Sequence, residues 1–386
     1  MQSITILGST GSVGKSTLDV IARHPEKYDV YALTANTNTT EMLAQCLVHN
    51  PKVAVMLCEK AAEELLAELA KADLSDIEVR SGEEEIVNCV TSDRSDAVMA
   101  AIVGAAGLRP TLAAVRAGKR TMIANKEPLV MTGDLFINEA REHGALVLPI
   151  DSEHNAIFQC LPDKQVYDGV KKLHLTASGG PFLGREWSSL DNIRPEEACA
   201  HPNWQMGRKI SVDSATMMNK GLELIEATAL FSIDADRVEV VVHPQSIIHS
   251  MVEYIDGSFI AQLGSPDMKI PIAHALAWPS RVNSGAAALD ITEIARLDFQ
   301  KPDYNNMPCL FLARQAAQEG GALPIALNAA NEIAVEAFLN QKISFTSIPT
   351  IIESAMIYLK DEAPTDLSAI LNIDNEARII AKRAIH

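Results

Sequence analysis

What this 386-residue chain has little of narrows the field first. No stretch approaches the ~18 uninterrupted apolar residues that a membrane-spanning helix needs, so the sequence predicts no transmembrane segment and no membrane partner. The first residues run straight toward an apolar strand with no basic-then-apolar leader, which points to a cytoplasmic protein. Basic residues are scarce: 33 Lys and Arg stand against 50 Asp and Glu, a formal net charge of −17. A surface of that sign repels phosphate backbones and anionic headgroups, so nucleic acid is excluded as a partner class. An anionic small substrate is still allowed, because a pocket can be locally basic, and the few Lys and Arg near a candidate site then carry information. The six cysteines (Cys46, Cys58, Cys89, Cys160, Cys199, Cys309) include no C-x-x-C pair. That spacing describes buried or incidental thiols in a reducing compartment and argues against a zinc site or a disulfide framework. There is no internal repeat and no low-complexity tract.

One glycine is also missing where it would matter. Residues 8–17 read Gly-Ser-Thr-Gly-Ser-Val-Gly-Lys-Ser-Thr and follow the apolar run 4–7. Gly14-Lys15-Ser16 suggests a nucleoside-triphosphate loop, but that loop needs a glycine five positions before Gly14, and Ser9 stands there. The glycines fall instead at 8, 11 and 14, between a strand and a helix. There they allow a tight turn, close approach of backbone to a pyrophosphate, and close helix-on-strand packing. The N–H groups and dipole of the following helix then hold the negative charge. The loop therefore reads as a dinucleotide site. After the second strand, Thr34-Ala35-Asn36-Thr37-Asn38 offers neither the acid that bonds a free ribose hydroxyl nor the base that pairs a 2′-phosphate. The missing acid leans toward NADP, with Asn and Thr as donors to a phosphate.

Residues 1–150 alternate strand-like segments (4–7, 29–34, 53–57, 97–101, 120–124, 145–148) with helix-like ones (15–23, 41–48, 59–70, 110–117, 136–142). The pattern predicts an α/β fold that opens with a Rossmann-like NADP-binding domain, its ligands at the carboxyl ends of a doubly wound parallel sheet. Residues 151–277 read as a central α+β catalytic domain. It has strands at 171–178 and 238–243, a hairpin of 251–255 and 258–262 around Asp256-Gly257, and a loop over 195–207. Residues 278–303 read as a linker. The remainder, 304–386, reads as a C-terminal α-helical domain with helices at 325–339, 348–359 and 376–384.

Two clusters carry chemistry. Asp151-Ser152-Glu153-His154 follows the apolar run 146–150. On an extended chain Asp151 and Glu153 share a face, giving two hard carboxylates for Mg²⁺ or Mn²⁺ with positions left for substrate oxygens. The competing interpretation is an ordinary helix N-cap. The second cluster, 211–223, is dense in donors: Ser214, Asn219 and Lys220 suit a phosphate, and Glu223 ends it as a third carboxylate. Ser178, beside Gly179 and Gly180, adds another hydroxyl. Its competing interpretation is an N-capped surface helix with solvated Lys and Glu. His243, His249 and His274 read as structural. Joined to an NADP-type loop, these clusters suggest reduction of a small phosphorylated carbonyl compound.

Taken in order along nearly the whole chain, residues 8–14, Asn125-Lys126-Glu127, Asp151-Ser152-Glu153, 176–181, His201-Pro202-Asn203-Trp204 and 211–223 resemble the 1-deoxy-D-xylulose 5-phosphate reductoisomerase family. The resemblance implies rearrangement of 1-deoxy-D-xylulose 5-phosphate, then reduction by NADPH to 2-C-methyl-D-erythritol 4-phosphate, the committed step of the non-mevalonate isoprenoid pathway. By that similarity Asp151, Glu153 and Glu223 carry Mg²⁺ or Mn²⁺, and Lys126 sits beside the reacting oxygens. Ser178, Ser214, Asn219 and Lys220 hold the phosphate of the sugar substrate, with Ser152, Glu153, His201, Trp204 and Glu223 also at the substrate. Thr10, Gly11, Ser12, Val13, Asn36, Thr37, Asn38, Asn125, Glu127 and Gly207 match the cofactor site. Trp204 rides on a loop that closes over substrate, and the family implies a homodimer made through the central domain. One departure stands out: the family commonly has Lys or Arg after the second strand where this chain has Thr37, which leaves the preference for NADPH over NADH open. From the residues alone, two rivals stand. One is a metal-free Rossmann-type reductase of a phosphorylated or acyl aldehyde; the other is a cofactor-binding sensor without chemistry.

Overall fold

The computed structural model describes residues 1–161, 169–200, 204 and 206–385. Short runs of Ile, Val, Leu, Ala and Met punctuated by turns form seven strands: β1 (Gln2–Leu7), β2 (Tyr28–Ala35), β3 (Val53–Met56), β4 (Glu78–Ser81), β5 (Ala97–Ala100), β6 (Arg120–Ile123) and β7 (Val147–Pro149). They pair in parallel in the order β4-β3-β2-β1-β5-β6-β7. Ile4, Ile6, Leu33, Val55, Val98 and Met99 are fully buried, as expected of strands covered on both faces. The order reverses between β1 and β5, which in an open sheet is where ligands gather at the carboxyl ends. The alternation read from the sequence is present, although the seventh strand begins two residues later than expected. β4 and the helix Glu83–Thr91 are not predicted from the sequence pattern. Their residues are mostly polar, and Arg80 makes its ion pairs to Glu78 and Glu85 at 2.9 and 3.1 Å, so no apolar run announces this charged edge strand.

A second sheet joins β8 (Val170–Ala177), β9 (Val238–Val242), β10 (Ile248–Tyr254) and β11 (Phe259–Leu263) in the order β11-β10-β8-β9. β8 runs parallel to β9, and the remaining pairs are antiparallel. The expected hairpin closes at Asp256-Gly257. The Asp256 carboxylate accepts from the N–H and Oγ of Ser258 at 2.9 and 2.7 Å, and Gly257 takes φ +88°.

By its contacts the chain forms two units, each built from three segments. The first is Met1–Pro128, Phe136–Asn155 and Asp267–Ala287; the second is Leu129–Leu135, Ala156–Pro266 and Ala288–His386. In the first unit the helix Lys269–Ala277 packs on Ser12–Ala22, and Arg120 Nη1 donates to the Leu276 carbonyl at 3.3 Å. In the second, the Ala-rich helix Leu323–Leu339 is buried on nearly every face, which makes it the central rod of a helical bundle. Ser347–Leu359 and Leu367–Ala384 pack on it, and Arg378 ties the last helix to Glu332 at 2.7 Å. The rings of Phe182, Trp187 and Phe338 surround Phe345, each at 5.4 Å. Among the described residues no helix is long and apolar enough to cross a membrane.

Two local expectations are corrected. The stretch 195–207 does not begin as a loop: Pro195–Ala198 is a short helix, started by proline and by Glu197 accepting from the Arg194 N–H at 3.0 Å. The cluster 211–223 is no surface helix. It spans two helices, Arg208–Ala215 and Met218–Leu230, broken at Met217 with φ +64° and buried along most of their length.

All six cysteines are free thiols. Burial pushes Cys46 up to about 12, Cys89 and Cys160 up to about 11, and Cys309 further up. The thiolate is the reacting species, so at pH 8 about one in a thousand of Cys89 or Cys160 is competent. Native protein is therefore expected to titrate rapidly at no more than two thiols, Cys58 and Cys199, with an aromatic disulfide reagent, and at six in guanidinium. Four fast thiols in the native state would contradict this packing.

Candidate active site

In the first unit, β1 ends at Leu7 and the helix Ser12–Ala22 starts after Gly11, which caps it without a side chain. The first-turn N–H groups are thus available to an anion, with Gly11 and Ser12 exposed and Thr10 and Val13 half-buried beside them. Gly8 takes φ +74°, and a Cβ there would lie 2.6 Å from the Ala101 carbonyl oxygen. A Cβ at Gly14 would lie 2.4 Å from the Ser9 carbonyl oxygen. Both glycines are demanded by space. Two braces that the motif alone does not reveal hold the loop. Thr34 accepts from Gly8 N–H through Oγ1 at 3.1 Å and from Ser9 N–H through its carbonyl at 2.9 Å. Gln45 Nε2 donates to the Ser9 carbonyl at 2.9 Å. Asn36, Thr37 and Asn38 follow β2 and are exposed; Asn38 Oδ1 caps the helix Thr39–His49 by accepting from Glu41 N–H at 3.1 Å.

Neighbouring strands β6 and β7 deliver the next residues from the same end of the sheet. Asn125, Lys126 and Glu127 follow β6 and are all buried, and Asn125 Nδ2 donates to the Gly104 carbonyl at 3.0 Å. Asp151 follows β7, and the Lys126 ammonium stands 2.6 Å from its carboxylate. Asp151 and Glu153 do not alternate on an extended chain. A helix, Ser152–Cys160, begins immediately, with Asn155 N–H donating to the Asp151 carbonyl at 2.9 Å. Asp151 therefore occupies the cap and Glu153 the first turn, where acidic and hydroxyl groups complement the helix N-terminus. Ser152 Oγ donates to Glu153 Oε2 at 2.7 Å. His274 is buried against Asn155, whose Nδ2 lies 3.1 Å from its Nδ1.

In the second unit, β8 delivers Ser178, whose Oγ accepts from Gly180 N–H at 3.2 Å. A Cβ at Gly180, φ +71°, would lie 2.5 Å from the Ser214 carbonyl oxygen, so the Ser178 turn is packed onto the Ser214 backbone. Exposed Gly207 precedes the helix that carries half-buried Ser214. On Met218–Leu230, Asn219 Nδ2 donates to Glu223 Oε1 at 2.5 Å, and the Lys220 ammonium pairs with Glu223 Oε2. Positions 219, 220 and 223 lie on one helical face. Lys220 is 3% and Glu223 0% exposed, so both charges sit inside the unit, where each needs the other. Burial arises at Gly221: a Cβ there would lie 2.4 Å from Ala313 Cβ, which lets the helix Pro308–Glu319 approach closely. Trp204 is half-buried, its ring 6.3 Å from that of buried His249. His243 Nε2 accepts from the N–H groups of Ile247 and Ile248, leaving Nδ1 to donate to the Asp298 carbonyl at 2.8 Å, a structural role. His201 lies outside the described residues.

Each candidate carboxylate thus has a hydroxyl, amide or ammonium donor beside it. Asp151, Glu153 and Glu223 are hard oxygen ligands of the type Mg²⁺ and Mn²⁺ take; none offers the sulfur or imidazole of a softer site. Two ammonium groups, Lys126 and Lys220, are buried among otherwise sparse positive charge.

Comparison with known proteins gives consistent matches. Residues 4–133 match the family model for 1-deoxy-D-xylulose 5-phosphate reductoisomerase. Residues 147–231 and 263–380 match two models for C-terminal domains of that enzyme. The 1-deoxy-D-xylulose 5-phosphate reductoisomerase of Pseudomonas savastanoi pv. phaseolicola is 57% identical over 384 residues, 98% of this chain and 97% of its own. That of Burkholderia cenocepacia strain HI2424 is 55% identical over 383 residues, 99% of this chain and 96% of its own. A crystal structure of DOX-P reductoisomerase in complex with NADPH, fosmidomycin and magnesium superposes with TM-score 0.96 at 48% identity, covering 100% of this chain and 98% of that one. The enzyme from Zymomonas mobilis in complex with NADPH gives TM-score 0.92, also at 48% identity and with the same coverage of both chains.

Proposed function

The chain belongs to the 1-deoxy-D-xylulose 5-phosphate reductoisomerase family, and from that premise we propose how its own residues divide the reaction. The enzyme is an NADP-dependent oxidoreductase. It converts 1-deoxy-D-xylulose 5-phosphate to 2-C-methyl-D-erythritol 4-phosphate with NADPH and a divalent metal, in isoprenoid synthesis. The observation that carries the residue assignment is the pairing of two buried ammonium groups and a half-buried amide with carboxylates: Lys126 on Asp151, and Asn219 with Lys220 on Glu223.

Asp151, Glu153 and Glu223 are the residues that would hold Mg²⁺ or Mn²⁺. Bound there, the cation supplies Lewis-acid polarisation of neighbouring substrate oxygens. Lys126 places its ammonium beside the oxygens on which negative charge grows as the carbon skeleton rearranges, and Ser152 adds a hydroxyl. Ser178, Ser214, Asn219 and Lys220 receive the phosphate. Because Asn219, Lys220 and Glu223 share one turn, the phosphate group and the reacting oxygens are fixed by a single rigid element. The Gly8–Gly14 loop, through Thr10, Gly11, Ser12 and Val13, takes the pyrophosphate of NADPH, with Asn36, Thr37 and Asn38 at the adenosine ribose and Asn125, Glu127 and Gly207 as further contacts. By the family resemblance His201 and Trp204 would contact the substrate, and closure there would exclude water from the aldehyde and the hydride donor. In this partition 1–150 serves the cofactor, 151–277 the chemistry and dimerisation, and 278–303 links to the helical 304–386. A cytoplasmic homodimer that accepts Mn²⁺ as well as Mg²⁺ completes the proposal.

The test follows NADPH oxidation with 1-deoxy-D-xylulose 5-phosphate and Mn²⁺ or Mg²⁺, then with excess chelator. Turnover is expected with either ion, to fall at least ~100-fold on chelation and to return when metal is restored, since a single preorganised electrostatic contribution is worth that much. Undiminished turnover under chelation would sink the metal assignment and favour a metal-free reductase. The same assay with NADH measures how much discrimination survives with Thr37 at the second strand.

A further inference from the structure

We infer that Asn331, on the C-terminal helix Leu323–Leu339, is a positioning residue for substrate phosphate: by holding Asp213 it sets the place of Ser214 and of the segment that carries Asn219 and Lys220. The inference rests on the reading of Ser214 as a phosphate ligand. Asp213 is 1% exposed and Asn331 0%, so both polar side chains lie inside the second unit. Asn331 Nδ2 donates to Asp213 Oδ1 at 2.8 Å, and the Lys209 ammonium stands 2.8 Å from Oδ2. A buried carboxylate is costly unless paired, and an apolar pair of the same volume would join two helices at least as firmly. What the polar pair adds is direction, because a hydrogen bond fixes rotation and axial register where an apolar contact slides.

That direction matters at this position. Asp213 directly precedes Ser214, whose carbonyl oxygen is the surface on which Gly180 and the Ser178 turn rest. The Asp213 carbonyl accepts from Thr216 Oγ1 at 3.2 Å, and Thr216 Oγ1 in turn accepts from Met218 N–H at 3.3 Å. This chain of bonds crosses left-handed Met217 and reaches the first turn of the helix bearing Asn219, Lys220 and Glu223. Asp213 is therefore the point from which all four phosphate candidates are placed. On its far side the anchor is itself held: Glu332, the residue after Asn331, pairs with Arg378 at 2.7 Å. The helix Leu323–Leu339 thus reaches the phosphate site through this hydrogen bond, beside the packing of Pro308–Glu319 on Gly221, and Asn331 has no need to touch substrate.

The test separates positioning from mere packing by steady-state kinetics on the full-length enzyme. Asn331→Leu is expected to raise KM for 1-deoxy-D-xylulose 5-phosphate about tenfold, with KM for NADPH and kcat changed less than twofold. Asn331→Asp sets two buried carboxylates face to face and is expected to be worse. Adding Asp213→Asn to it restores a donor–acceptor pair with the roles exchanged, and is expected to return KM to within threefold of wild type even if either single variant folds poorly. Loss of thermal stability with unchanged KM, or no rescue in the exchanged pair, overturns the inference. Ser214→Ala runs in parallel. If it leaves KM unchanged, the phosphate reading falls and this inference with it; if it raises KM while Asn331→Leu does not, the inference alone falls.

Discussion

Glu223→Gln is expected to lower kcat/KM by about 10²–10³ at saturating metal and to raise the metal concentration needed for half-maximal rate. The substitution keeps shape and removes charge. Glu223 is fully buried, accepts from Asn219 Nδ2 at 2.5 Å and faces the Lys220 ammonium. A neutral amide is a weaker ligand for a hard dication than a carboxylate, so the ion is held less tightly. It also takes the anionic partner away from a buried ammonium, which destabilises by about 3 kcal/mol where the remaining charge stays in place. Two independent readouts follow: a metal titration of the rate, and the thermal midpoint of metal-free protein, which is expected to drop. Turnover within tenfold of wild type with an unchanged metal requirement would remove Glu223 from the ligand set. An unchanged metal-free midpoint would separately show that the Lys220 pairing contributes little to the fold.

How much of this was legible before the structure depends on how local the cause is. The glycine loop was legible because its requirement is written in adjacent residues: a strand, glycines at 8, 11 and 14, and a helix. The parallel sheet was legible from apolar runs, except at β4, where a charged edge strand carries no such run. Asp151-Ser152-Glu153-His154 is legible for its carboxylates but leaves two backbones open, an extended chain and a helix N-cap, and the structure has the N-cap. Four residues are too few to tell a period of 2.0 from one of 3.6, and an Asp followed by Ser and Glu also starts a helix well. Lys220 and Glu223 show the opposite limit. Their residue types were singled out, but their burial was not, because it is imposed by Ala313 packing on Gly221 from a helix some ninety positions later. Thr34 and Gln45 likewise brace the loop at a sequence distance that no motif spans. The resemblance to a known family supplied the roles; the structure supplies the pairings that hold those residues in place.

The two loop glycines 11 and 14 can be separated by experiment, because they are glycines for different reasons. At Gly14 an added Cβ would sit 2.4 Å from the Ser9 carbonyl oxygen, 2.5 Å from Ser9 Cα and 2.6 Å from the Gly8 carbonyl oxygen, all backbone atoms. Those atoms cannot yield cheaply, since Thr34 and Gln45 pin the same two residues from neighbouring elements. Gly14→Ala must therefore push the helix Ser12–Ala22 off the loop, with an overpacking cost of about 1–3 kcal/mol in cofactor-free protein. NADPH binding is expected to weaken at least ~100-fold, because the helix N-terminus no longer faces the pyrophosphate where the loop presents it. At Gly11 the added Cβ meets only the Gly8 carbonyl oxygen, at 3.3 Å. Gly11→Ala is expected to leave the thermal midpoint within about 2 °C of wild type while weakening NADPH, since on the proposed reading its methyl group would crowd a pyrophosphate brought against the backbone. Thermal midpoints without cofactor and NADPH dissociation constants for both variants decide the matter. Equal loss of stability in both would assign the spacing to packing alone. A Gly14→Ala protein with wild-type midpoint and wild-type NADPH affinity would mean that this loop does not hold the dinucleotide as its geometry indicates.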